Sequence, residues 1–177
     1  MDMTTREFWA SAHGLVLGTL FLLAFAGGFA GLWGFRPEWI TARGARERLL
    51  RLKVGVTSMA VIAWLTVVTG TYIVYPWYRA KPPEGTTDLT DFPRSLLLAT
   101  AGQEEWHRFG MEWKEHIAWA SPILATAAAF IVFYYGAQLI TDSRLRYAAL
   151  TLFVLAFATA GIAGLLGALI TKAAPVA

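Results

Sequence analysis

The sequence predicts an all-α fold: an integral membrane four-helix bundle with the N and C termini outside and a short exterior helix between spans 2 and 3. Composition, four long apolar runs and the placement of Lys and Arg carry that expectation. The 177 residues are 56% hydrophobic and only 15% charged, whereas ordinary soluble domains are about 45–50% apolar and about 25% charged. A bilayer core is crossed by about 20 apolar residues in a helix. Four runs have that length, at about residues 8–33, 54–78, 117–140 and 147–170. They form a single domain, with residues 79–116 as an exterior segment.

The same composition removes whole classes. So apolar a chain does not stay solvated and disordered. With no Cys, there is no disulfide scaffold, thiolate zinc, Cys-held iron–sulfur cluster, covalent c-type haem or Cys nucleophile. The net charge of +3 is modest and unevenly spread, so nucleic acid is not an expected partner. No nucleotide loop or Ser/His/Asp set is present. The spans carry no Asp, Glu, Lys or Arg at mid-depth, which disfavours ion-coupled transport.

Each element has a local signal. Thr4-x-x-Glu7 is a capping box that starts helix 1 outside the membrane. Ala24-Phe25-Ala26 resembles a signal-cleavage site, but the leader sets Asp2 and Glu7 against Arg6 and lacks a positive n-region, so the run reads as a retained span. The connection after span 1 holds Arg36, Arg43, Arg46, Arg48, Arg51 and Lys53, and that after span 3 holds Arg144 and Arg146. Against these stand only Glu38, Glu47 and Asp142, while the opposite side is acidic on balance. Lys and Arg concentrate on the cytoplasmic side, so both termini and the long 2–3 connection are expected outside, in a bacterial cytoplasmic (inner) membrane. Tyr72, Tyr75, Trp77, Tyr78, Trp9, Trp106, Trp113 and Trp119 would mark the outer interface. Pro93 suits the first turn of an exterior helix over 94–101, stopped by Gly102. From Gln103 the pattern runs into span 3, where Pro122 is expected to kink the helix.

Candidate chemistry centres on two imidazoles. His13 and His116 each precede an apolar run, on helices that enter from the same side, and so lie at matching depth. If both point inward, they can supply two axial nitrogens to one haem iron. Gly161 and Gly164, with Gly167, Gly70, Gly14 and Gly18, would leave room for a flat porphyrin. Arg6 and Arg108 would meet its propionates. Each feature has a plain alternative: small residues pack membrane helices, interfacial His bonds water, and Arg reaches for headgroups. His107 lies half a turn from His116 and reads as a solvated His on a projecting helix, with a second centre beside Met111 as the rival. Glu112 and His116, an i,i+4 pair on one stripe with Glu105, offer an alternative exterior metal site. Glu104-x-x-His107 is half of a di-iron motif whose other half is missing.

Four spans, paired boundary His residues and no CxxCH motif together resemble the small four-helix b-type membrane cytochromes, such as the cytochrome b561-like proteins. The resemblance implies non-covalent haem b held by His13 and His116. It also implies electron exchange with quinone, other membrane redox subunits or a periplasmic electron carrier. With three His, the chain can build at most one bis-His haem, whereas many such cytochromes hold two. The alternative from another class is a cofactor-free accessory subunit of a larger respiratory or photosynthetic membrane complex. It would dock through the aromatic exterior segments 72–78 and 106–119.

Overall fold

The computed structural model describes residues 3–175, without the side chains of residues 42 and 43. Asp2 and the side chain of Arg43, used above for the leader and the basic connection, lie outside that description. The described residues are helical with turns and contain no strand. Four helices are long and apolar enough to cross a membrane: α1 (Thr5–Trp33), α2 (Gly44–Tyr78), α4 (Trp106–Tyr135) and α6 (Ser143–Ala173). Between them lie the short α3 (Pro93–Ala99) and α5 (Gln138–Thr141).

Helix ends follow from capping chemistry. The Thr4 hydroxyl accepts from Glu7 N at 3.1 Å while Glu7 accepts from Thr4 N at 2.8 Å, so the expected capping box forms. Thr41 caps α2, accepting from Gly44 N at 3.2 Å. That cap lies well before the expected start at residue 54, and Arg46, Arg48, Arg51 and Lys53 therefore ride on helix rather than loop. The expected third span overshoots at its other end. Gly136, with φ +52°, takes a conformation costly for other residues and stops α4 at Tyr135. Asp142 then caps α6, accepting from Arg144 N and Leu145 N at 2.9 and 3.2 Å. α3 begins at Pro93 as expected and ends two residues early, before Gly102 at φ +77°.

The long helices pack as a ring in the order α1–α2–α4–α6, with α6 returning to α1. Phe21, Met59, Ala125 and Phe153 belong to the main core. Gly55 brings α2 against the α1 backbone: a Cβ there would lie 3.1 Å from Gly28 Cα. Leu22, Leu23, Phe130 and Leu165 stay more than half exposed, as expected for a bundle whose solvent is lipid.

One end, called the cap end below, carries residues 79–105 and the outer turns of α1 and α6. Leu97 of α3 is fully buried there against Tyr78, Met111 and Ile170 in a second, smaller core. Arg6 donates to Asp91 O at 3.1 Å, tying α1 to the cap. Three long helices contain a π-turn at this end: Ala12–Val16, Gly70–Val74 and Trp106–Met111. At the opposite, basic end, Arg146 is 7% exposed. It donates to Leu139 O, Ile140 O and Phe35 O at 3.0, 3.1 and 3.4 Å.

Candidate functional site

Helix phase decides where the two expected ligands point. Beyond its π-turn, α4 buries Ser121, Pro122, Ala125, Ala128 and Val132, which follow Lys114 by seven, eight, eleven, fourteen and eighteen residues. Lys114 therefore extends the inward stripe. His116 precedes Ile123 and Phe130 by seven and fourteen residues, and those two side chains are 57% and 63% exposed. His116 is itself exposed. It donates from Nδ1 to Glu112 O at 2.6 Å, because a carbonyl only accepts.

His13 turns elsewhere. It packs between α1 and α2, half-buried, and a Cβ on Gly70 would lie 2.8 Å from its Cε1. Its Nδ1 lies 3.2 Å from Thr69 Oγ1. The single Thr69 hydrogen goes to Leu65 O at 2.7 Å, so His13 is the donor. The chain does not bring His13 and His116 to one centre: one ring lies in a helix–helix seam and the other on the outer surface of α4.

The remaining expected haem contacts scatter too. Gly161 and Gly164 are exposed, with nothing within 4 Å of a Cβ built on either, so each leaves open space beside α6 and touches neither imidazole. Arg108 is exposed, and Arg6 serves the cap. The residues as placed do not fit a bis-His haem inside one chain.

Glu112 and His116 do share one groove, of about 500 Å³, with Trp113 and Ile117. Among the described residues, no group of three or more His, Cys, Asp or Glu is arranged to hold a metal.

His107 corrects the solvated reading. It is 6% exposed, accepts at Nε2 from Arg94 Nε at 3.0 Å and lies 3.0 Å at Nδ1 from Tyr78 OH. Arg has no acceptor, so the ring proton sits on Nδ1 and is donated to the Tyr78 oxygen. Both nitrogens are occupied, and His107 serves as a clamp between α2, α3 and α4.

The polar group missed from sequence is Lys114. Its stem lies against Gly167, where a Cβ would meet Cε at 3.1 Å and Nζ at 3.4 Å. Its charge acts on the His13 ring. The next residue, Glu115, lies beside Tyr75 OH, which accepts from Arg79 NH1 at 2.9 Å. Glu115 Oε1 and Ser121 Oγ are buried without a hydrogen-bond partner. Seven-residue spacing back from the small residue Ser121 was the signal available for Lys114.

No family model, curated protein or solved structure matches the chain.

Proposed function

We propose that the protein is a membrane-embedded accessory subunit of a larger respiratory or photosynthetic complex, engaging its partner at the cap end. The observation that favours this reading over an intrachain haem is the divergence of His13 and His116, one ring on Thr69 and the other on Glu112 O at the surface of α4. The cap supports docking instead. Arg94, His107 and Tyr78 hold it together, and Tyr72, Phe109 and Trp113 stand 70%, 57% and 53% exposed at its margin. Aromatic residues are enriched at interfaces.

The test is native electrophoresis of membranes solubilised in mild detergent, with an absorption spectrum of the purified chain. The expected result is migration within a large complex, release by the double variant Phe109→Ser, Trp113→Ser, and no Soret band. Migration alone at the size of the single chain overturns it.

A second reading rests on the His116 tautomer. Donation from Nδ1 to a backbone carbonyl is the arrangement common in metal-ligating His, and it leaves Nε2 as the lone pair. In this reading the protein is a haem b electron-transfer subunit exchanging electrons with quinone or a redox partner. His116 faces the Trp113 groove, and the second axial ligand comes from another chain. A Soret band lost in His116→Ala and kept in His13→Ala selects it over the first reading. The same band lost in both variants restores the intrachain pair.

A further inference from the structure

The two apolar cores do not touch end to end. The stretch between them holds small and polar residues, Thr69 and Gly70 on α2, Lys114 on α4, Gly164 and Gly167 on α6, with Gly18 on α1, beside the buried apolar Val67. Lys114 is the key member. It points into the bundle, and its ammonium has no hydrogen-bond or ion-pair acceptor among the described residues. Glu115 attracts it only through space: that carboxylate lies beside Tyr75 OH on the α2 side, and the two charges form no ion pair. A cation turned inward at membrane depth requires an acceptor.

The layer also has an entrance. α1 and α6 close on each other in the half toward the basic end, where Phe25 stacks on Phe157 and Phe153 at centroid distances of 3.9 and 5.6 Å. Toward the cap, the same stripes continue as Gly18 on α1 and Gly164 on α6. A Cβ on either would find nothing within 4 Å. Beside the seam that is zipped by aromatic rings below, both helices therefore leave open space above, about one turn short of where Lys114 meets Gly167. The level of Lys114 is also where the apolar run of α4 begins, at the boundary between headgroups and acyl chains.

We propose that this cleft between α1 and α6 binds one anionic lipid. Its headgroup oxygen would sit on Lys114 and its acyl chain would lie along Gly18 and Gly164. A phospholipid phosphate and a fatty-acid carboxylate share the required chemistry. Charge complementarity selects the anionic class over zwitterionic lipid, and the sideways opening selects an amphiphile over a soluble anion.

The test is native mass spectrometry of the purified, delipidated chain titrated with palmitoyl-oleoyl phosphatidylglycerol, the matching phosphatidylcholine, oleate or inorganic phosphate. One phosphatidylglycerol or one oleate per chain is expected to bind in preference to phosphatidylcholine, and inorganic phosphate is not expected to bind. Lys114→Gln should weaken that binding about fivefold, the worth of one Lys at a lipid headgroup. Arg108→Gln, which removes an exposed charge on the same helix, should leave it unchanged. Gly164→Leu, which fills the cleft and spares the charge, should weaken it also and keeps the proposal testable if Lys114→Gln does not fold. Preference for phosphatidylglycerol names the phospholipid as source, and preference for oleate names the fatty acid. Equal binding of phosphatidylcholine, saturable binding of inorganic phosphate, or full affinity in either Lys114→Gln or Gly164→Leu overturns the proposal.

Discussion

Replacing Arg146 by Met should cost the bundle about 3 kcal/mol. The guanidinium satisfies the Leu139 and Ile140 carbonyls at 3.0 and 3.1 Å and reaches Phe35 O at 3.4 Å. Those carbonyls belong to the chain leaving α4 and the chain leaving α1, so one side chain ties two helix ends to the start of α6. A buried carbonyl left without its donor costs about 1–3 kcal/mol. Two well-made bonds would give roughly 2–6, and removing the buried charge returns part of that. The net of about 3 kcal/mol shifts the folding equilibrium roughly 150-fold. The assay is reversible unfolding by SDS in mixed micelles, followed by circular dichroism. All three contacts come from Nη1 alone, so Arg146→Lys, whose single nitrogen sits on a shorter stem, should fall between wild type and Met. A Met variant within about 0.5 kcal/mol of wild type, the range of an ordinary surface change, would refute the reasoning by showing that water already serves these carbonyls.

Other outcomes follow from close contacts. A Cβ at Gly28 would overlap the fully buried Phe153 ring, so Gly28→Ala should destabilise by about 1–3 kcal/mol; in the same unfolding assay, adding Phe153→Leu should restore part of the loss. Arg94→Leu leaves His107 Nε2 without its donor and should loosen the cap by about 1–2 kcal/mol, read as faster proteolysis within residues 79–105. Asp88 accepts from the Thr90 N–H and hydroxyl at 3.0 and 2.7 Å, which holds its carboxyl below the ordinary 3.8. Because the folded value is depressed, the turn is favoured above the ordinary value and lost as pH falls through the lower one. The Thr90 amide resonance should therefore titrate with a midpoint under 3.8.

Much of the fold was legible because long apolar runs have one stable form in lipid. The capping box at Thr4 and the first turn at Pro93 were also readable, since each uses residues adjacent in sequence. What escaped were features set by rotation. The helix running back from span 3 toward Gln103 was readable, and α4 does start at Trp106, but its charged residues read as exterior and gave no sign that Lys114 turns inward. Matching depth for His13 and His116 was inferred from the starts of two apolar runs, and depth says nothing about azimuth. His107 looked solvated because its partners, Tyr78 and Arg94, lie 29 and 13 residues away in sequence. The glycines on α6 divided along the same line: Gly167 meets a side chain, while Gly161 and Gly164 meet none.

The π-turns carry one more consequence. Each amounts to a single residue spliced into an otherwise regular helix. The wide turn absorbs that residue, so excising one from Ala12–Val16 or Gly70–Val74 should let the helix heal into ordinary pitch while the pieces on either side keep their azimuths. The same deletion in a regular stretch would swing everything beyond it by about 100°. These turns are thus slack in the thread, places where the crown can lose a residue without turning away from the trunk.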